Sequence, residues 1–201
     1  MRVNVYTKNE KFEKHLTTFQ FKKTTKSTCH IIGFGPAGVY AALQCLELGI
    51  KPVIIERGKP VEDRIHDIKN INKKLLINNE SNYCYGEGGA GTYSDGKLYT
   101  RSKKRGNVAK VLDVFIQHGA DEKIAYEAHP HIGTNKLPKI MSAMRKNIIE
   151  NGGEIRFNTK LVDLEIANDQ ISTLHFSDGT KEKCEQVILA TGHSARDIYE
   201  L

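Results

Sequence analysis

The residues best suited to chemistry form a glycine-rich run near the start of the chain. Gly33, Gly35 and Gly38 spell GxGxxG within the segment GFGPAG. Between a strand and a helix, this spacing lets main-chain amides at the helix N-terminus meet two linked phosphates. Gly33 permits the tight turn, Gly35 leaves the backbone bare toward a pyrophosphate, and Gly38 lets the helix lie close to the strand. The motif therefore predicts a dinucleotide-binding turn.

A carboxylate follows where such a turn needs one. Glu56 ends the apolar run PVIIE, 21 residues after Gly35. It can accept hydrogen bonds from the 2′- and 3′-hydroxyls of a ribose, whereas a 2′-phosphate would meet its negative charge. The fingerprint serves NAD and FAD alike. An NAD-dependent dehydrogenase without flavin, a flavoprotein and a non-catalytic or truncated nucleotide-binding module are all compatible with this pattern.

The elements that must position these residues form a strand, helix, strand unit. Residues 29–32 are a short apolar strand, Pro36–Leu48 carries alanines that allow close packing on a sheet, and Gly49 ends the helix. Residues 52–56 are a second buried strand. A unit of this length requires parallel strands joined by a right-handed crossover.

Downstream, helices are expected first and short strands after them. The pattern predicts helices at 61–77, 107–118 and 136–150, separated by a glycine-rich loop at 78–96. It then predicts strands at 154–157, 161–167 and 170–176, hairpin turns at 168–169 and 178–179, and a last buried strand at 187–190. The expected fold class is α/β: a Rossmann-like parallel sheet with inserted helices and a β-meander.

Composition excludes several classes of protein. The 201 residues are 39% hydrophobic and 27% charged with 17 glycines, which is ordinary for a globular domain and unlike disordered, collagenous or disulfide-scaffold chains. Of the net charge of +6, residues 1–30 supply most, with seven Lys and Arg against two Glu. The body of the chain is nearly neutral, so a nucleic-acid surface is not expected.

The start of the chain resembles a membrane anchor only superficially. Residues 27–46 lack Asp, Glu, Lys and Arg, but three glycines and Pro36 interrupt them, which favours a buried strand, turn and helix. Residues 1–28 are a basic segment that suits a tail, a targeting segment or an edge strand around residues 19–21. Cys29, Cys45, Cys84 and Cys184 are scattered without metal-ligand spacing, which fits a reducing, cytoplasmic location.

Four longer runs carry a resemblance to a known family. They are ERGKPVEDR (56–64), SNYCYGEGGAGTYSDGKLYTR (81–101), HPHIGTNKL (129–137) and ATGHSARDIYE (190–200). Together they resemble a family of bacterial-type FAD-dependent dehydrogenases, over roughly residues 29–201. Cys84 departs from the family pattern, because it stands where a polar residue is expected. Family members continue beyond GHSARD, so the resemblance implies an N-terminal fragment whose missing C-terminal portion helps to complete the site.

The resemblance implies a glutathione-reductase-like FAD domain at 29–201, with residues 78–150 contributing a substrate-side insertion. It implies hydride transfer between a small-molecule substrate and FAD, with NAD(P)H as a candidate electron donor. Gly33, Gly35, Gly38 and Glu56 carry over as FAD contacts. The expected cofactor-binding set also includes Pro36, Ala37, Arg57, Gly89, Ala90, Gly91, Ser94, Thr191 and Gly192.

Acid–base candidates are few. Lys97 ends the glycine-rich loop, where it would face charge that develops on a reduced flavin. His131, which with His129 flanks Pro130, is a substrate-side candidate, and His193 follows the Thr191-Gly192 turn. No metal site is expected, because no third ligand stands near the two histidines. Lys97, Arg101 and the basic residues 103–105 form a cluster that is either solvated or steers an acidic substrate.

Overall fold

A computed structural model describes residues 18–21, 27–100 and 106–201. The strands are β1 (Thr28–Ile32), β2 (Lys51–Ile55), β3 (Glu154–Arg156), β4 (Leu161–Ala167), β5 (Gln170–Phe176), β6 (Lys181–Lys183) and β7 (Val187–Leu189). The α-helices are α1 (Pro36–Leu48), α2 (Val61–Lys74), α3 (Val108–Gln117) and α4 (Leu137–Glu150).

The strands form two sheets. A parallel sheet has the order β3-β2-β1-β7, and an antiparallel meander has the order β4-β5-β6. The predicted α/β class, with a parallel Rossmann-like sheet and a meander, is confirmed. The first strand, helix, strand unit is parallel as expected, and Gly49 ends α1 in the left-handed conformation.

Both faces of β1 and β2 are covered, and four of the five residues in each strand are buried. β7, predicted as a buried strand, instead leaves Ile188 and Leu189 exposed. Side chains alternate between the faces along each strand. Ile31 and Ile54 pack with the helices in one core, whereas Ile32, Val53 and Ile55 pack with the meander in a second core. The carboxyl ends of β1, β2 and β7 are thereby held together at one edge.

Residues 154–157 do not belong to the meander, contrary to expectation. β3 pairs in parallel with β2, with Ile155 opposite Ile54. Local alternation cannot distinguish these alternatives, because a parallel partner is set by a distant crossover rather than by a hairpin turn. Gly152 and Gly153 are the turn from α4 into this strand. β6 was not anticipated, although the turns at 168–169 and 178–179 are found where predicted.

Two other predictions are corrected. The second helix ends at Lys74 rather than at residue 77, because Leu75 adopts the left-handed conformation with φ of 54°. Residues 18–21 form no strand, although Phe19 is buried and its amide donates to Gln117 Oε1 at 3.1 Å. Residues 1–17 and 22–26 of the basic segment, and Arg101–Arg105, lie outside the described residues. Within the described ranges, no helix has the length and apolarity needed to cross a membrane.

Candidate functional site

The first glycine turn joins β1 to α1 at the carboxyl edge of the sheet. Gly33 has φ of +103°, and a Cβ there would lie 2.5 Å from the Ala190 carbonyl oxygen. A Cβ on Gly38 would collide with the Gly33 carbonyl oxygen. These two positions therefore require glycine for the turn and for close approach of the helix, the two geometric tasks that the spacing indicated.

The N-terminus of α1 is open. Gly35 is its N-cap in an extended conformation, Pro36 stands in the first turn, and neither a side-chain cap nor an acidic residue occupies that turn. The amides at such an end have no intrahelical acceptor and carry partial positive charge. They border a cavity of about 480 Å³ that Gly35, Pro36 and Ala37 line.

A second glycine loop, residues 86–91, lies directly on the first turn. Gly88 N donates to the Phe34 carbonyl at 2.8 Å. A Cβ on Gly89 would lie 3.2 Å from both Gly35 Cα and Pro36 Cδ. The two loops thus meet backbone to backbone at the mouth of α1, an approach that side chains would prevent.

Glu56 lies buried between the two loops, just beyond the end of β2. Its Oε2 accepts from Phe34 N at 2.7 Å, and its Oε1 accepts from Gly58 N at 2.8 Å and Gly86 N at 3.0 Å. A carboxylate has about four acceptor positions. Three main-chain amides already occupy three of them, which leaves room for one sugar hydroxyl rather than the two expected from sequence.

The third wall of the cavity is the segment after β7. The Tyr85 hydroxyl donates to the Ser194 carbonyl at 2.7 Å. Asp197 forms ion pairs with Arg57 at 3.2 Å and Lys160 at 2.6 Å. Burial opposes ionisation of Asp197, but the Lys160 hydrogen bond and the Arg57 charge hold its pKa below the ordinary value. These contacts fasten residues 194–197 over the ends of β2 and β4.

Most of the residues expected to bind the cofactor come together. The lining includes Gly33, Gly35, Pro36, Ala37, Glu56, Arg57, Gly89, Ala90, Gly91, Thr191 and Gly192. Gly38 lies behind the turn. Ser94 is exposed outside the lining, where its hydroxyl donates to the Gly91 carbonyl at 2.7 Å and accepts from Gly96 N at 3.1 Å.

The three acid–base candidates are separated. His193 lines the cavity, as does Cys84, the exposed one of the four free thiols. Lys97 and His131 lie outside the lining and form an isolated antiparallel β-bridge with each other. The Lys97 ammonium group also forms an ion pair with Asp95 at 3.1 Å. His129 packs against the ring of Tyr99. Across residues 18–21, 27–100 and 106–201, no three His, Cys, Asp or Glu side chains are grouped to hold a metal ion.

Two charged residues that hold the second glycine loop were not singled out from sequence. Arg64 and Glu87 are both fully buried. Glu87 Oε2 accepts from Val61 N at 2.8 Å and pairs with Arg145 at 2.9 Å, while burial raises the pKa of Glu87 to about 7. Charged residues are normally exposed, so nothing in the sequence indicated that these two would be buried. Only their positions in the runs ERGKPVEDR and GEGGAG could have drawn attention to them.

Comparison with known sequences finds a similar protein of greater length. An uncharacterised protein from Clostridium beijerinckii is 41% identical over 171 residues. The match covers 85% of this chain and 32% of that protein, so the chain spans about a third of the length of the relative. No family model matches the chain.

The solved structures that are similar to this chain have low sequence identity to it. THI4 from Thermovibrio ammonificans is 16% identical with a TM-score of 0.52, over 84% of this chain and 58% of that one. The ferredoxin reductase for the CYP199A2 system of Rhodopseudomonas palustris is 12% identical with a TM-score of 0.42, over 83% and 24%. The amino acid oxidase NikD is 13% identical with a TM-score of 0.48, over 87% of this chain and 54% of that one. The THI4 comparison, together with the strand order and the glycine turn, establishes a Rossmann-type α/β fold for this chain.

Proposed function

We propose that the chain is the FAD-binding part of an oxidoreductase that transfers hydride between a small-molecule substrate and flavin. The observation that carries this proposal is the meeting of two glycine loops over the uncapped N-terminus of α1, with Glu56 between them. Bare backbone on both sides of a helix N-terminus suits a diphosphate, which needs main-chain donors and no intervening side chains.

The residues present fit the adenosine diphosphate half of FAD. A Cβ at Gly35 would have open space apart from Gly89 Cα at 3.8 Å, so the cradle is space that a side chain would fill. Gly35, Pro36 and Ala37 would hold the pyrophosphate. Glu56 would accept one ribose hydroxyl at its fourth acceptor position, and the amides of the second glycine loop and the Thr191-Gly192 turn would face the remainder of the cofactor.

Bound FAD would supply the hydride-accepting ring chemistry. The chain would contribute binding, orientation and a proton site. Of the three acid–base candidates, His193 is the one on the cavity wall, and its imidazole would be the group that donates or accepts a proton there. Lys97 is a weaker candidate for this role, because it forms an ion pair with Asp95 and its side chain is 80% exposed to solvent.

The charges near Glu56 disfavour a nucleotide with a 2′-phosphate. The Arg57 guanidinium pairs with Glu80 at 2.6 Å and with Asp197, and it stacks on the Tyr85 ring with 4.1 Å to the centroid. Lys160 pairs with Asp197 as well. A 2′-phosphate would therefore meet the Glu56 carboxylate while the nearby cations are already neutralised.

Ligand titration separates the flavin proposal from its alternatives. The purified chain is titrated with FAD, NAD and ADP while thermal unfolding is followed. Binding to the folded state at about 100 times Kd stabilises by about 2.7 kcal/mol. Stabilisation by FAD and ADP, with release of FAD on denaturing the purified protein, supports the proposal. Stabilisation by NAD but not FAD indicates a nicotinamide enzyme, and no response to any of the three contradicts dinucleotide binding.

The substitution Gly35→Ala tests the cradle itself. Its φ of −75° suits alanine and the new Cβ meets only ordinary contacts, so the free energy of unfolding should change by about 0.5 kcal/mol or less. The methyl group occupies the space assigned to the pyrophosphate, so FAD affinity should fall by about tenfold or more. Isothermal titration measures the affinity. Gln44→Ala, on the exposed side of α1, is the control. Unchanged FAD affinity in a folded Gly35→Ala chain would refute the cradle.

A further inference from the structure

Arg64 carries a buried charge without a carboxylate partner. Its side chain in α2 has no solvent exposure, and within the described part of the chain no carboxylate lies within ion-pair distance of it. Its guanidinium donates instead to oxygens of the segment 82–92. The acceptors are Asn82 O at 2.9 Å, Tyr83 O at 3.1 Å, Gly86 O at 3.4 Å, Glu87 O at 2.7 Å and Thr92 Oγ1 at 3.2 Å.

This arrangement is an inefficient way to obtain stability alone. Burial lowers the pKa of Arg64, which records the cost of keeping the charge out of water. Well-packed apolar residues often stabilise a core as well as buried charges do. A planar fork with five N–H donors, however, can hold several carbonyl groups in fixed directions at once, which an ammonium group cannot. The geometry therefore indicates that Arg64 specifies the conformation of a loop.

The loop that Arg64 holds leads directly to Glu56. Gly86 accepts from Arg64 through its carbonyl and donates through its amide to Glu56 Oε1 at 3.0 Å. Gly86 has φ of +116°, and a Cβ there would collide with the Arg64 side chain. The next two amides continue the attachment, since Glu87 N donates to Lys59 O and Gly88 N donates to Phe34 O.

We propose that Arg64 is the positioning residue of the dinucleotide site. It acts through Gly86 to orient the Glu56 carboxylate and to hold the second glycine loop against the first, without itself lining the cavity. The inference rests on the proposed function for the identity of the ligand. The hydrogen bonds from Arg64 to Gly86 and from Gly86 to Glu56 do not depend on a bound ligand.

The test compares Arg64→Lys with Arg156→Lys in the full 201-residue chain. Both substitutions keep a charge and remove a guanidinium fork, but Arg156 binds Glu154 and Glu182 on strands away from the cavity lining. Hydrogen exchange by NMR is followed at Gly86 and Phe34, whose amides donate to Glu56, and at Ile31 and Ile54 in the sheet. Arg64→Lys should accelerate exchange at the first pair about tenfold more than at the second pair, because it frees the loop rather than the whole fold.

Ligand binding supplies the second readout, with ADP as the probe. Arg64→Lys should weaken ADP binding about tenfold, and Arg156→Lys should leave it unchanged. Equal acceleration at all four amides, or selective acceleration with unchanged ADP affinity, would overturn the positioning role. A wild-type chain that fails to bind ADP contradicts the proposed function instead, and the exchange pattern still decides whether Arg64 orients the loop.

A milder variant keeps the test decisive if Arg64→Lys does not fold. Thr92→Val retains the branched shape but removes the hydroxyl that accepts from Arg64 and donates to the carbonyls of Glu87 and Gly89. It should accelerate exchange at Gly86 selectively, by a smaller factor than the lysine variant. Unchanged exchange at Gly86 in a folded Thr92→Val chain would count against the proposal.

Discussion

At the scale of single residues, the candidate site depends on charged side chains that do not line the cavity. Arg64 holds carbonyl groups, Glu87 holds an amide of α2, and Arg145 joins Glu87 to Glu62. Each replaces water around main-chain or charged groups that the second glycine loop would otherwise bury without partners. Glu87 Oε1 is the exception among these atoms, since it is buried without a hydrogen bond in the described structure.

This exception makes stability depend on pH. The folded-state pKa of Glu87 is about 7, above its ordinary value of 4.5, because burial disfavours the carboxylate. The stability associated with its proton is fully present below the unfolded-state pKa and is lost as pH rises toward 7, up to about 3 kcal/mol. Glu87→Gln should therefore reduce the fall in thermal stability between pH 4.5 and pH 7. Thermal unfolding across this range measures it, and parallel profiles for both chains would contradict the assignment.

At the scale of elements, helix α2 shows how a local conformation overrides a periodic pattern. Apolar residues continue to residue 77, but the helix stops when Leu75 turns left-handed. Leu75 N then donates to Ile71 O, the hydrogen bond of the αL capping motif, and Leu76 N donates to Asn70 O. The next three large apolar side chains are consequently exposed on the surface, namely Leu75, Leu76 and Ile77.

Glycine in place of Leu75 should stabilise the C-terminal end of α2. A left-handed conformation costs a residue with a side chain about 1–2 kcal/mol, and Leu75 is 85% exposed, so little packing is lost on its removal. Leu75→Gly should raise the free energy of unfolding by about 0.5 kcal/mol or more, after the entropy that glycine adds to the unfolded state. Leu76→Gly, where φ is not positive, is the matched control and should be destabilising. Urea unfolding measures the free energy of unfolding of both variants. An equal loss of stability in the two would show that Leu75 carries no left-handed strain.

At the scale of the whole molecule, the meander is a structural layer rather than an appendage. Leu161, Leu174 and Phe176 pack on the face of the parallel sheet formed by Ile32 and Ile55. The same sheet carries the glycine turn and Glu56 at its carboxyl edge. Loss of this layer would expose the apolar side chains of Ile32, Val53 and Ile55 to water and would separate His30 and Arg156 from Glu182 of β6.

Removal of one buried leucine should therefore destabilise the whole domain. Leu174 has no solvent exposure, so Leu174→Ala should cost about 2–5 kcal/mol. Ile166→Ala removes a side chain of similar size from the same meander, but Ile166 is 66% exposed and should cost less than about 1 kcal/mol. Chemical denaturation with a fluorescence and a circular dichroism probe measures both. Similar losses in the two variants would show that the meander contributes little to the core.

The sequence by itself determined the first glycine turn, the helix after it and the acid at the end of β2. These features are local, because a tight turn, a short apolar helix and a short apolar strand each depend on neighbouring residues. The same reasoning located the hairpin turn at 168–169, where both residues are left-handed. Most of the expected cofactor-binding residues consequently line one cavity.

Tertiary structure alone decided the partner of β3, the amides on Glu56 and the burial of Arg64 and Glu87. Each involves groups far apart in the chain, such as Arg64 with Glu87 or Val53 with Glu154. Patterning describes which face of an element is apolar, but it does not state which distant backbone group a charged side chain will meet. Such pairings emerge only when the crossover connections bring the loops to one edge of the sheet, where a buried polar group without a partner is costly.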